Sequence, residues 1–201
     1  SSAHRVILGV DRLDYTKGID IRLRAFETLL ERNPGRKNEF VFIQVAVPSR
    51  EGVGEYTEMR NRIEQIVGHI NGRFGHPGHV PVHYLYRNLP QDELVAYYLL
   101  ADVMAVTPLR DGMNLVAKEY VATRLDNTGV LLLSEFTGAA ESLSQALLVN
   151  PHDVDGLSGA LAEAVDLPGA DMKKRMVAMR RYVKRNDIYD WARRCLGELR
   201  A

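Results

Sequence analysis

Short apolar, β-branched runs alternate along this chain with longer segments whose apolar residues recur at helical spacing. The runs Val6–Val10, Phe40–Val47, Val82–Tyr86, Val103–Thr107, Val130–Leu133 and Ala146–Val149 predict six strands. Most are apolar at successive positions, as in strands covered on both faces by helices in a parallel sheet. Between the first two, Ile19, Leu23, Phe26 and Leu30 form one helical stripe, and between the second and third, Tyr56, Met59, Ile63, Ile66 and Ile70 form another. Further helices are predicted at Gln91–Leu100, Leu115–Arg124, Gly138–Gln145, Val154–Val165, Asp171–Lys184 and Ile188–Leu199. Pro34-Gly35 marks a turn, and Gly72–Pro81 is a loop-like cluster of Gly, His and Pro. The alternation predicts a doubly wound α/β fold: a mostly parallel six-stranded sheet, right-handed crossovers, and helices on both faces. No linker or repeat interrupts it, so residues 1–201 read as a single domain with an α/β core over 1–167 and C-terminal helices over 168–201.

Composition narrows the function classes. The 201 residues carry 26 basic and 26 acidic side chains, a net charge of zero that argues against broad capture of nucleic acid. The longest apolar run, Leu94–Ala101, falls far short of the roughly 18 residues that span a bilayer, and the first residues hold no apolar signal segment. No nucleic-acid or membrane partner is therefore expected. A single cysteine, Cys195, can form no internal disulfide, which points to a reducing, cytoplasmic setting. The chain opens almost directly on a core strand, as a piece of a longer protein would.

In an open parallel sheet, ligands bind beyond the carboxyl ends of the strands, near the point where strand order reverses. The turn after the first strand, Gly9–Gly18, holds Arg12 and Lys17 before a helix whose first amides are free, a setting that suits phosphate. The same cations could instead pair with Asp11, Asp14 and Asp20. Neither the Gly-x4-Gly-Lys-Ser/Thr loop nor the Gly-x-Gly-x-x-Gly fingerprint is present, which disfavours P-loop kinases and NAD enzymes. After the fourth strand, Asn114 is a plausible N-cap, leaving the amides of Leu115 and Val116 pointing outward, and Gly112 allows close backbone approach. Glu119, one turn beyond Leu115 on the same face, suits a diol such as ribose, and Asp111 could accept from sugar hydroxyls. The plain alternative is a capped helix with an exposed Glu; a glycosidase-type pairing of Asp111 with Glu119 is disfavoured because one is in a loop and the other within the helix it precedes. Arg50, after the second strand, could meet a second anion or pair with Glu51 or Glu55. His69, His76, His79 and His83 crowd one region, but Pro77, Gly78 and Pro81 break any helix that could align them, so neither metal nor cofactor is expected.

The runs GVDRLDYTKG (9–18), VAVPSR (45–50), HINGRFG (69–75), TPLRDGMNLVAKEYVA (107–122) and LSEFTGAAESL (133–143) resemble the trehalose-6-phosphate synthase family, and within it the C-terminal, nucleotide-sugar-binding half. The resemblance fades after about Leu167. It implies a GT-B glycosyltransferase: two Rossmann-like domains facing across a cleft, metal-independent, retaining at the donor sugar. It further implies that Arg12 and Lys17 hold the donor diphosphate, that Asp111 meets donor-glucose hydroxyls, and that the backbone of Gly112, Met113, Asn114, Leu115 and Val116 faces glucose and phosphate. Glu119 matches the ribose carboxylate and Arg50 a residue holding the acceptor's phosphate. The implied partners are a UDP- or GDP-sugar donor, a sugar-phosphate acceptor and an N-terminal half of the same enzyme, onto which the last helices would pack; Tyr189 and Trp191 there fit such docking or, equally, a place in the core. Oligomerisation is left open. Two rivals remain: a pseudo-glycosyltransferase joining a nucleotide-linked cyclitol to an aminocyclitol phosphate, and a catalytically silent sugar-phosphate-binding homologue.

Overall fold

The structure, a computed structural model, describes residues 4–49 and 54–186 together with 189, 193 and 196. Six strands form one sheet: β1 (Arg5–Arg12), β2 (Phe40–Val47), β3 (Val82–Tyr86), β4 (Val103–Val106), β5 (Val130–Ser134) and β6 (Leu147–Val149). Every neighbouring pair is parallel, in the order β3-β2-β1-β4-β5-β6. Seven α-helices accompany them: α1 (Ile19–Arg32), α2 (Gly54–Phe74), α3 (Gln91–Leu100), α4 (Leu115–Thr123), α5 (Gly138–Ser142), α6 (Val154–Val165) and α7 (Gly169–Arg185). Because strand side chains alternate, both faces are apolar. Ile7, Phe42, Val103 and Leu132 meet α1, α2 and α6 on one side, and Leu8, Val45, Met104 and Leu131 meet α3, α4, α5 and α7 on the other.

The predicted strands all form, with differences at their ends that have physical causes. β1 runs two residues further than expected because Arg12 pairs in register with Val47 and the Leu13 amide donates to the Val47 carbonyl at 2.8 Å. Arg12 therefore closes a strand rather than sitting in a turn. α2 continues through Gly72 to Phe74, where Asn71 bonds both the amide and the carbonyl of Val82, each at 2.9 Å, and so fastens the helix to the start of β3. α5 stops at Ser142, well short of Gln145, and a Leu143–Ala146 turn leads into β6. The packed core also extends past residue 167: α7 lies on α4 and buries Met176 and Met179. The predicted last helix, 188–199, with Trp191 and Cys195, lies outside the described residues apart from 189, 193 and 196.

Candidate functional site

The strand order reverses between β1 and β4, so the segments leaving those two strands meet at the carboxyl edge of the sheet. The first begins with Arg12, which is exposed, and continues into a short 3-10 turn at Tyr15–Lys17. Asp14 caps that turn: its Oδ1 accepts from the Thr16 amide and from the Thr16 hydroxyl, both at 2.8 Å. Burial alone would raise the Asp14 carboxyl, but those Thr16 bonds and the charges of Lys17 and Arg12 outweigh it and hold it below the usual range. Gly18 follows in the left-handed conformation, φ 61°, where a Cβ would press on the Thr107 carbonyl at 3.1 Å and the Leu109 side chain at 3.2 Å. The glycine thus serves both the backbone turn and the approach of the second segment. That segment is fastened by the Leu109 amide donating to the Thr16 carbonyl at 2.7 Å.

The two segments join chemically at Lys17 Nζ and Asp111 Oδ2, 2.6 Å apart and each about four-fifths or more buried. Asp111 also accepts from the Met113 amide at 3.3 Å and from Asn114 Nδ2 at 3.2 Å. Burial pushes its carboxyl up; the Lys17 bond, the Met113 amide and Asn114 more than reverse this and keep it ionised. Asn114 caps α4 as expected, its Oδ1 accepting from the Ala117 amide at 3.0 Å, with the residue itself at φ 63°. The two preceding amides, Leu115 and Val116, are first-turn donors of the kind a helix leaves without an intrahelical partner. Gly112, Met113 and Leu115 are exposed beside them. Glu119 lies one turn along α4, half-buried, and one of its oxygens accepts the Tyr98 hydroxyl at 2.9 Å.

Of the residues expected from sequence, Lys17, Asp111, Asn114 and the Gly112–Val116 backbone are brought together; Arg12 stands at the end of β1 beside them, and Glu119 is further along α4. Arg50 lies outside the described residues, which reach Ser49. Asp11 and Asp20 do not pair with Arg12 or Lys17: Asp20 meets Arg62 at 2.9 Å, and Asp11 is buried against Arg22.

Two contributors went unseen in the sequence. Arg22, fully buried, donates to Asp11 at 2.6 Å, Gln44 at 3.1 Å, Thr107 at 2.8 Å and the Lys17 carbonyl at 3.2 Å. Its position three after Ile19 and four before Phe26, on the apolar stripe of α1, was the available signal. The segment after β5 also reaches the site, since the Asp111 amide donates to the Phe136 carbonyl at 3.2 Å and the Gly138 amide to the Asp111 carbonyl at 3.0 Å. The LSEFTGAAESL run carries this segment, and Gly138 in it has no room for a Cβ against the Gly112 carbonyl.

This sheet order, with a cation–carboxylate pair and a capped helix end at its switch point, defines a doubly wound α/β domain, and such a switch point is where folds of this class take their ligands. The chain belongs to glycosyltransferase family 20, whose family model, described as Glycosyltransferase family 20, matches residues 1–201 and so runs well past Leu167. It is 56% identical over 197 residues to the trehalose-6-phosphate synthase of Mycolicibacterium smegmatis (strain ATCC 700084 / mc(2)155), covering 98% of this chain and 39% of that protein. A solved structure described as trehalose-6-phosphate from E. coli bound with UDP-2-fluoro glucose superposes with a TM-score of 0.94 at 41% identity, over 98% of this chain and 44% of that one. A UDP-forming alpha,alpha-trehalose-phosphate synthase from Burkholderia xenovorans, in complex with glucose-6-phosphate, gives 0.95 at 42% identity, over 99% and 44%. The chain thus spans about two-fifths of the length of these relatives. No helix among the described residues is long and apolar enough to cross a membrane.

Proposed function

We propose that this chain is the donor-binding domain of a retaining glycosyltransferase that transfers glucose from UDP-glucose, or GDP-glucose, to glucose 6-phosphate and forms trehalose 6-phosphate. The observation that carries the reading is the meeting of Lys17, Asp111 and the capped start of α4 at the sheet's switch point. The family and the ligands named for its solved relatives support it.

In this reading Arg12 and Lys17 hold the donor diphosphate, and Glu119 accepts from the ribose hydroxyls. Asp111 and the backbone of Gly112–Val116 face the glucose. As the bond from glucose C1 to the phosphate oxygen breaks, the departing nucleotide gains negative charge, which Arg12, Lys17 and the α4 amides stabilise without a metal ion. Lys17 is held by Asp111 at 2.6 Å, so its ammonium is placed before the charge develops. Arg50 holds the acceptor's phosphate, with the rest of the acceptor pocket on an N-terminal domain. A location in the cytoplasm fits the single cysteine.

Calorimetric titration of the 201-residue chain with UDP and GDP tests the site. Replacing Arg12 and Lys17 together by alanine should lower affinity by about a hundredfold, at roughly 1.5–3 kcal/mol for each charged hydrogen bond less compensation by water. Unchanged affinity in that variant rejects the diphosphate assignment. The chain alone should not transfer glucose, and turnover with UDP-glucose and glucose 6-phosphate would refute the division of the active site between two domains.

A further inference from the structure

Glu119 has a partner that nothing in the donor reading requires. Tyr98, on α3, is completely buried, and its hydroxyl donates to a Glu119 carboxylate oxygen at 2.9 Å. The ring cannot swing away, because it packs edge-on against Tyr120 with centroids 6.3 Å apart and an interplanar angle of 76°. Its backbone is fixed as well: buried Arg124, just past the end of α4, donates to the carbonyls of Tyr98 at 3.1 Å and Leu99 at 2.5 Å. Two points of attachment therefore join the end of α3 to α4, one through Arg124 and one through the Tyr98 hydroxyl.

We infer that Tyr98 is a positioning residue for the ribose of the nucleotide, holding one oxygen of Glu119 so that the other is presented to the sugar diol in a single orientation. The inference rests on the assignment of Glu119 to ribose. A free glutamate must give up about 1.5–2 kcal/mol of rotamer freedom when it engages a ligand, and a carboxylate fixed beforehand has already met much of that cost. Tyrosine suits the task because its hydroxyl stays protonated: burial first, then the charge and hydrogen bond of Glu119, push its pKa far above the usual value. The hydroxyl therefore keeps the proton it donates to Glu119.

Titrations of the chain with UDP, 2′,3′-dideoxy-UDP and inorganic pyrophosphate separate the possibilities. Tyr98→Phe removes one oxygen atom and keeps the packed ring, and Glu119, half-buried, can turn to water, so the variant should fold with a melting temperature close to that of the parent. We expect UDP affinity to fall about fivefold to tenfold while affinity for the dideoxy analogue and pyrophosphate stays unchanged. In a Glu119→Ala background, itself impaired only toward UDP, adding Tyr98→Phe should cost nothing further. Equal losses for all three ligands, or no loss for UDP, would overturn the inference. Failure of the underlying reading looks different: the parent chain would bind UDP and its dideoxy analogue equally well, and both assignments would then fall.

Discussion

Two ion pairs of identical length lie side by side at the carboxyl edge of the sheet. Arg22–Asp11 and Lys17–Asp111 both close at 2.6 Å, and both join a residue on or before α1 to the site. The first is sealed, with side chains 0% and 3% exposed; the second opens to solvent at 13% and 16%. Arg22 turns four of its five N–H donors to protein acceptors, so it holds β1, β2, the end of β4 and the Lys17 backbone in fixed relation. Lys17 has an ammonium with three donors and one observed side-chain acceptor, which leaves capacity for a ligand. Burial, rather than the charges themselves, divides scaffold from site.

That division breaks most clearly at Arg22. Arg22→Met leaves Asp11 buried without its cation, with only the Gln44 amide as a side-chain donor, and should destabilise the fold by about 3–5 kcal/mol, lowering the melting temperature by roughly 6–20 °C. Lys17→Met should cost less, about 1–2 kcal/mol in the same melting experiment, since Asp111 keeps the Met113 amide and Asn114 as donors. Similar losses at the two positions would show that burial does not separate them.

A subtler probe is Gly9, on β1 beneath the Arg22 guanidinium. A Cβ there would overlap the Gln44 amide oxygen and stand 2.5 Å from an Arg22 nitrogen. Within a strand, glycine to alanine is ordinarily stabilising through the unfolded chain. Here Gly9→Ala should cost about 1–3 kcal/mol by crowding a filled cluster; a gain in denaturation midpoint would mean the cluster can shift freely.

The smallest effect concerns pH. Because the Asp111 carboxyl is held below its usual 3.8, the stability it contributes is complete above that value and is lost as pH falls through the folded-state pKa. The stability difference between the parent and Asp111→Asn, about 1 kcal/mol or less near neutrality, should shrink below pH ~4 and vanish in stronger acid. A difference constant down to pH ~3 would show that Asp111 gains nothing from its charge.

The fold was readable because its strands are buried on both faces, and Val6–Val10 or Val130–Leu133 admit few other interpretations. Strand ends were less so: Arg12 looks like a turn residue until β2 is known to pair beside it. The chemistry-bearing loops could be named from motif and position, whereas their pairing could not. Lys17 and Asp111 are 94 positions apart, and they meet only because β4 is laid against β1. Tyr98 was hidden for another reason. It falls in the unbroken apolar run Leu94–Ala101, and one hydroxyl in that run changes neither the hydropathy pattern nor the spacing.

Gly138 carries a last consequence. Its missing side chain lets the carbonyl of Gly112 rest directly on the start of α5, main chain against main chain, with no compressible atoms between. The rim that carries Asp111, Met113 and the α4 amides is therefore backed by masonry. In the proposed donor reading, a bulkier or slimmer ligand meets a rim that yields little. Its fit then falls to the side chains of Met113 and Leu115, which stand more than half exposed.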